Sequence, residues 1–125
     1  MNALGRHLLI ELKDCNTEVL NDLDFLKRCL HDAADQIGAT VVKECFYEFS
    51  PHGISGVLVI SESHLCIHTW PEHSYAAIDI FTCGDSVKPE RAVNPLVEKL
   101  GSKNSFFIEL KRGILQNNRV SCELK

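Results

Sequence analysis

Apolar and polar residues alternate near the start of the chain, which is the pattern of a β-strand with one buried face. One face of this strand carries Leu4, Leu8, Ile10 and Leu12, and the other carries His7, Glu11 and Lys13. From about residue 21 the period changes to three and four residues, which predicts an amphipathic helix that ends at Gly38. The apolar stripe of this helix contains Leu23, Leu26, Leu30, Ala33 and Ile37.

The middle of the chain is rich in β-branched and aromatic residues, and it predicts four consecutive strands. These strands cover residues 39–49, 54–60, 65–70 and 75–82, with turns at residues 51–53 and 71–74. A second helix is predicted from residues 84–86 to Gly101, and its buried side carries Val93, Leu96, Val97 and Leu100. Because Pro95 lacks an amide donor, this helix is expected to start late or to kink. A last strand is predicted over residues 105–110, and the tail at 116–125 carries little sign of order.

The order of these elements is strand, helix, four strands, helix and strand, which predicts the fold class α+β. We expect a two-layer sandwich in which both helices cover one face of an antiparallel sheet. Residues 57–60 are apolar on both faces of their strand, so the second face of the sheet needs cover as well. A chain of this length has no second sheet to provide it, and we therefore expect a partner chain there.

Length and composition fit one compact domain over residues 1–125, with 45% hydrophobic and 24% charged residues. The formal charge of −4 and the scattered basic residues argue against a nucleic-acid partner. Nothing in the sequence resembles a signal peptide or a run of about twenty apolar residues, so we expect no membrane contact and a cytoplasmic location. The six cysteines are widely spread and are expected to be reduced.

Most of the chemically reactive side chains stand between residues 54 and 73. A zinc site is one hypothesis, since imidazole and thiolate are ligands that zinc prefers. Its ligands would be His64, Cys66, His68 and His73. The first three would share one face of a strand, but His73 lies beyond a turn, and no CxxC motif or HxxxH motif on a helix supports closure of the site. Self-processing between Glu62 and Ser63 is a second hypothesis, and purely structural Cys and His side chains are a third.

A long motif spans the centre of the chain in two neighbouring segments. They read ISESHLCIHTWPE at residues 60–72 and YAAIDIFTCG at residues 75–84. Shorter segments extend the motif toward both ends of the chain, namely GRH at 5–7, GATVV at 38–42 and FFIE at 106–109. In this order and over most of the chain, the sequence resembles the short prokaryotic form of S-adenosylmethionine decarboxylase, a pyruvoyl enzyme.

The resemblance implies that the chain is a proenzyme that cuts itself between Glu62 and Ser63. The hydroxyl of Ser63 would attack the carbonyl of Glu62, and elimination and hydrolysis would leave a pyruvoyl group in place of Ser63. By the same resemblance His68 is the base of this maturation, a role that suits an imidazole because it titrates near neutrality. Cys83 is the implied proton donor in turnover. The two fragments would be residues 1–62 and 63–125.

Ser63 and His68 are five positions apart, and in an unbroken strand they would face opposite sides of the sheet. We therefore expect a bend or a bulge near the scissile bond. Ser55 is a candidate helper in maturation, and Glu72 is a candidate acceptor for the ribose hydroxyls of the substrate. Phe49 and Trp70 could stack on adenine, face the sulfonium cation or belong to the core.

The implied activity is decarboxylation of S-adenosylmethionine in polyamine synthesis. The implied assembly is a homodimer whose sheets stack into a four-layer αββα arrangement, with active sites near the interface. No metal is expected, and no pyridoxal phosphate either, since the sequence offers neither its phosphate cradle nor its Schiff-base lysine. Two alternatives stay open: the same chemistry on arginine or ornithine, and an unprocessed regulatory or binding subunit. The presence of Ser63, His68 and Cys83 argues against the second.

Overall fold

The computed structural model of the chain describes the backbone of residues 3–116 and 119–124 and the side chains of residues 3–115. This part contains seven strands and two α-helices. The strands are β1 Ala3–Lys13, β2 Thr40–Glu48, β3 Ile54–Ser61, β4 Ser63–Trp70, β5 Tyr75–Cys83, β6 Asn104–Gln116 and β7 Arg119–Leu124. The helices are α1 Leu23–Ile37 and α2 Val93–Lys99, with short 3₁₀ segments at Val19–Asn21, Pro71–His73 and Pro89–Ala92.

All seven strands form one antiparallel sheet in the order β2-β3-β4-β5-β1-β6-β7. In its centre Leu8 of β1 pairs with Ile80 of β5, and Ile67 of β4 pairs with Ile78 of β5. These side chains point to one face and are buried against the helices, whose core residues include Leu26, Leu30, Ile37 and Leu96. The α+β sandwich with both helices on one face, predicted from the order of elements, is confirmed.

The helices begin and end for local reasons that the sequence already indicates. The side chain of Asp22 accepts a hydrogen bond from the amide of Phe25 at the start of α1, and Gly38 ends it with a φ of 84°. The late start expected for α2 is confirmed, because Pro95 occupies the third position, where an amide needs no helical partner. No helix in the described residues has the length and apolarity needed to cross a membrane.

Two details near the ends of the chain differ from the predictions. Arg119–Leu124 forms β7 along the edge of β6, so the prediction of a loose tail is wrong for these residues. The edge of β6 offers unpaired backbone groups, which favour the addition of a strand whatever its side chains. Leu4 is in phase with Leu8 but is 59% exposed, because it lies at the end of β1, beyond the buried cluster. Residues 117, 118 and 125 lie outside the described part.

The second face of the sheet has no cover within the described part of the chain. Its apolar side chains are half-buried or exposed, and they include Leu9, Val57, Val59, Cys66, Ala77 and Ile108. Val59 is 44% exposed and Ile108 is 40% exposed, although both belong to residue types that are usually buried. This is the face on which the sequence predicts a partner chain.

Candidate active site

The hairpin between β3 and β4 carries the predicted scissile bond. Glu62 is its exposed turn residue, and Ser63 is the first residue of β4, paired with Ile60 and Thr82. Ser63 has a φ of 114°, a backbone conformation that costs about 1–3 kcal/mol in a residue with a side chain. The strain falls on the N–Cα bond of Ser63, directly beside the peptide bond to Glu62.

The prediction of a bend or a bulge near the scissile bond is met by a bend, and the strand that follows Ser63 is regular. Pairing of β4 with β5 continues without a shift in register from Ser63 opposite Thr82 to Trp70 opposite Tyr75. The expected bend lies before Ser63, in the hairpin turn at Glu62. Ser63 and His68 therefore stand five positions apart on this regular strand, roughly 16 Å along it, and the structure does not bring them together.

The imidazole in contact with the Ser63 hydroxyl is that of His64. Oγ of Ser63 and Nδ1 of His64 are 3.5 Å apart. The other ring nitrogen of His64, Nε2, lies 3.0 Å from Oδ2 of Asp79 on β5. Neighbours in a strand normally face opposite sides of the sheet. Ser63 departs from this rule, because its positive φ is not that of a regular strand and its hydroxyl contacts the adjacent His64.

Asp79 also holds a second imidazole, that of His7 on β1. Nε2 of His7 is 2.9 Å from the same Oδ2 atom, and Nδ1 of His7 is 3.4 Å from Nη1 of Arg112 on β6. Phe81 lies opposite both histidines in the strand pairing, and its ring stacks on His7 at 5.0 Å between ring centres. Four adjacent strands thus join a serine, two histidines, a carboxylate and a guanidinium in one chain of polar contacts.

Among the described residues, His7, His64 and Asp79 are also the group that could hold a metal ion, with ligand atoms within 4.8 Å of one another. This is not the set considered from the sequence, because Cys66, His68 and His73 do not join His64 there. The Arg112 guanidinium beside His7 disfavours a cation. Burial, and then the charge of Asp79, raise the pKa of the Cys66 thiol to about 11, so the thiol is protonated at neutral pH and is no thiolate ligand.

Ser55 and His68 form a second pair of predicted residues, joined by a hydrogen bond. Oγ of Ser55 is 2.7 Å from Nδ1 of His68, across paired positions of β3 and β4. Beside them lies a cleft of about 250 Å³, which is also lined by Phe49, His52, Trp70 and Glu72. Glu72 is 3.1 Å from Nε2 of His52, and one face of Trp70 stacks on Tyr75. The cleft therefore gathers all the candidate substrate contacts.

Cys83 is the last residue of β5 and is half-buried. It follows Thr82, which pairs with Ser63, and it lies opposite Gly5 of β1. Oγ1 of Thr82 is buried and lacks a hydrogen-bond partner in the described part of the chain, a feature that is uncommon away from functional sites. The predicted thiol thus stands at the same end of the sheet as Ser63.

The sequence alone does not reveal the contacts of His64, Asp79 and Arg112. Of these three residues, only His64 was a candidate from the sequence, as a zinc ligand. One feature of the sequence does indicate that Asp79 has polar partners. Asp79 is the single charged residue between Tyr75 and Cys83, and a carboxylate in an otherwise apolar strand requires partners. Those partners become visible only when β1 and β4 are placed on either side of β5.

The chain has clear relatives among known proteins. The profile of the family described as S-adenosylmethionine decarboxylase matches residues 6–113. A Thermodesulfovibrio yellowstonii protein named S-adenosylmethionine decarboxylase proenzyme is 54% identical over 117 residues, which cover 94% of this chain and 87% of the relative. A Clostridium kluyveri protein of the same name is 53% identical over 116 residues, covering 93% and 92%. The crystal structure of the adenosylmethionine decarboxylase from Aquifex aeolicus matches with a TM-score of 0.84 and 32% identity, over 94% of this chain and 97% of that one.

The fold and these relatives define the class: the chain is a decarboxylase of the two-layer α+β type. Within that class it belongs to the S-adenosylmethionine decarboxylase family. The resemblance inferred from the central motif is confirmed, and so is the prediction of an enzyme. The alternative of an unprocessed binding subunit finds no support among relatives that are named proenzymes.

Proposed function

We propose that this chain is a cytoplasmic proenzyme that cuts itself between Glu62 and Ser63 and then decarboxylates S-adenosylmethionine for polyamine synthesis. The observation that carries the proposal is the hairpin, in which Ser63 follows Glu62 with a positive φ in a chain of this family. The cleaved protein would consist of residues 1–62 and 63–125.

Self-cleavage starts at the hydroxyl of Ser63. As Oγ bonds to the carbonyl carbon of Glu62, the peptide C–N bond breaks, and an ester and an amine replace the amide. This step also relieves the strain at Ser63, since its nitrogen is no longer part of a planar amide. His68, the base implied by the family motif, then takes the α-proton of residue 63, a step that requires the two residues to approach each other after the ester has formed. The ester oxygen leaves as part of the new α-carboxylate of Glu62. Hydrolysis releases ammonia and leaves the pyruvoyl group.

In turnover the pyruvoyl group supplies a ketone that condenses with the substrate amine and accepts the electron pair released with CO₂. Cys83 gives a proton to the substrate carbon that has lost its carboxylate. Glu72 accepts hydrogen bonds from the ribose hydroxyls. Phe49 and Trp70 contact the adenine ring or the sulfonium, a role supported by their exposure of 49% and 40% beside the cleft.

The first experiment follows the purified chain by intact mass and then supplies three substrates. We expect fragments 1–62 and 63–125, and CO₂ release from S-adenosylmethionine at well above the background set by arginine and ornithine. An uncut chain after prolonged incubation of folded protein would contradict self-processing. CO₂ release from arginine or ornithine instead would contradict the substrate and leave the pyruvoyl chemistry in place.

The active enzyme is proposed to be a homodimer in which two sheets stack through their uncovered faces. Soluble monomers rarely expose an apolar sheet face of this kind. Polar groups on this face already have partners, as Tyr75 bonds to Glu11 and Asp79 bonds to two histidines, so a second chain can cover them at low cost. The cleft of about 250 Å³ is also smaller than the roughly 300–1,000 Å³ of typical ligand sites, and a partner would add a wall.

Sedimentation at low micromolar concentration tests the dimer, which we expect at twice the chain mass of 14.0 kDa. Val59→Lys places a charge on the uncovered face and should shift the protein toward monomer. Gln36→Lys adds the same charge on the exposed side of α1 and should leave the dimer intact. A parent chain that sediments as a monomer would contradict the stacked arrangement.

A further inference from the structure

The Ser63 hydroxyl has a base within reach that is not His68. Nδ1 of His64 lies 3.5 Å from Oγ of Ser63, whereas Nδ1 of His68 is engaged with Ser55 at 2.7 Å. Ser63 and His68 stand five positions apart on a strand of unbroken register, roughly 16 Å along it. A base for the nucleophile must reach the proton that it removes, and such contacts are often long before the reacting geometry forms. Among the described residues, His64 is the imidazole in contact with the Ser63 hydroxyl, at the outer limit of a hydrogen bond.

Hydrogen bonds fix which nitrogen of His64 carries its proton. A carboxylate can only accept, so Nε2 of His64 and Nε2 of His7 both donate to Oδ2 of Asp79, at 3.0 and 2.9 Å. A neutral imidazole that donates from Nε2 keeps its lone pair on Nδ1, and Nδ1 is the atom of His64 that faces Ser63. His7 is held in the same tautomer, because its Nδ1 faces the donor Nη1 of Arg112.

We propose that His64 is the base that starts self-cleavage and that Asp79 is the residue that positions it, an inference that rests on the proposed function. Nδ1 of His64 takes the hydroxyl proton of Ser63 as Oγ bonds to the carbonyl carbon of Glu62. The imidazolium, stabilised by Asp79, gives this proton to the nitrogen of residue 63 as the C–N bond breaks. The step needs no other reactant, and its products are the ester and the amine.

The proposal assigns the two histidines to consecutive steps. His64 moves a proton from Oγ to the nitrogen of residue 63, and His68 afterwards removes the proton from the α-carbon. In a chain that lacks the first base, the bond between residues 62 and 63 stays an amide. In a chain that lacks the second base, maturation stops once that bond has become an ester. Hydroxylamine splits esters and leaves amides intact, so the two stalled states can be told apart.

The experiment compares full-length His64→Gln, His68→Gln and His31→Gln by intact mass, with and without hydroxylamine. Glutamine can still donate to Asp79 but is not a base. His64→Gln should cleave roughly 10²–10⁴-fold more slowly than the parent, and its uncut chain should resist hydroxylamine. His68→Gln should accumulate chain that hydroxylamine splits. His31 is the matched control, since it lies on α1 and bonds to Glu44, and its variant should cleave like the parent.

Two further variants separate chemistry from folding, which thermal unfolding monitors for each protein. Asp79→Asn still accepts from Nε2 through its oxygen but loses the charge that stabilises the imidazolium, so it should also stall as an amide. His64→Ala opens space for free imidazole, which should restore part of the cleavage rate if only the base is missing.

Three results would overturn the proposal. They are parent-like cleavage by His64→Gln, hydroxylamine-sensitive uncut chain in that variant, and a folded His64→Ala that imidazole does not accelerate. If the parent chain itself does not cleave, the proposed function fails, and this outcome is distinct from a failure of the role of His64.

Discussion

Replacing Ser63 with alanine is expected to leave the chain uncut at its full 125 residues. The hydroxyl is the nucleophile in the first step and, once acylated, the leaving group in the second, and alanine can serve as neither. Alanine keeps the β-carbon in the same backbone conformation at the start of β4, so the variant loses the oxygen without a new demand on the fold. Intact-mass analysis after prolonged incubation distinguishes one full-length species from two fragments.

Ser61 provides the matched control for this experiment, because it is an exposed serine on the other side of Glu62 in the same hairpin. Ser61→Ala should release the fragment 63–125 as the parent does. Release of that fragment from Ser63→Ala would mean that another nucleophile cuts the chain. Loss of cleavage in both variants would mean that the hairpin geometry, rather than the Ser63 hydroxyl, had been disturbed.

The sheet was predictable wherever local pattern and tertiary burial agree. Alternation along β1 identifies Leu8, Ile10 and Leu12 as core, and the buried cluster contains all three. Gly38 marks the end of α1, because few other residues adopt its left-handed backbone conformation without cost. β7 was not predictable in the same way, since an edge strand depends on the backbone groups of β6 that it pairs with more than on its own side chains.

The active site, like the sheet, was predictable only where the information is local in the sequence. The motif around Ser63 identifies the family and the scissile bond, because its residues are contiguous in sequence. The contacts of Asp79 depend on strand register, which no local pattern contains: Phe81 of β5 is opposite His7 of β1 and His64 of β4, and Asp79 lies two positions along from it. The expectation of a bend or a bulge near the scissile bond is met by the turn at Glu62. That expectation also assumed that Ser63 and His68 meet in the folded chain, whereas the regular ladder keeps them five positions apart.

Cys83→Ala is expected to mature and then to fail in turnover. Protonation of the decarboxylated substrate is required only after the pyruvoyl group exists, so loss of the thiol leaves the bond-breaking steps at Glu62 and Ser63 without a direct defect. The cleaved variant should lose roughly 10²–10⁴-fold in decarboxylation, the contribution typical of a positioned proton donor. The measurement is CO₂ release from S-adenosylmethionine per mole of the fragment 63–125. Cys29→Ala, which removes a thiol of α1 on the other side of the sheet, should retain the parent rate.

His68 and Cys83 are expected to act at different stages. Elimination of the ester needs a base at the α-carbon of residue 63, whereas turnover needs an acid near the substrate carbon bound at the same position, so the two steps need groups in opposite protonation states. His68 variants should therefore stall before the pyruvoyl group forms, and Cys83→Ala should stall after it. Cys83 follows Thr82, which pairs with Ser63, so its thiol belongs to the same end of the sheet as the product of cleavage. If Cys83→Ala both cleaved and turned over at the parent rate, Cys83 would be a structural cysteine and another group would supply the proton.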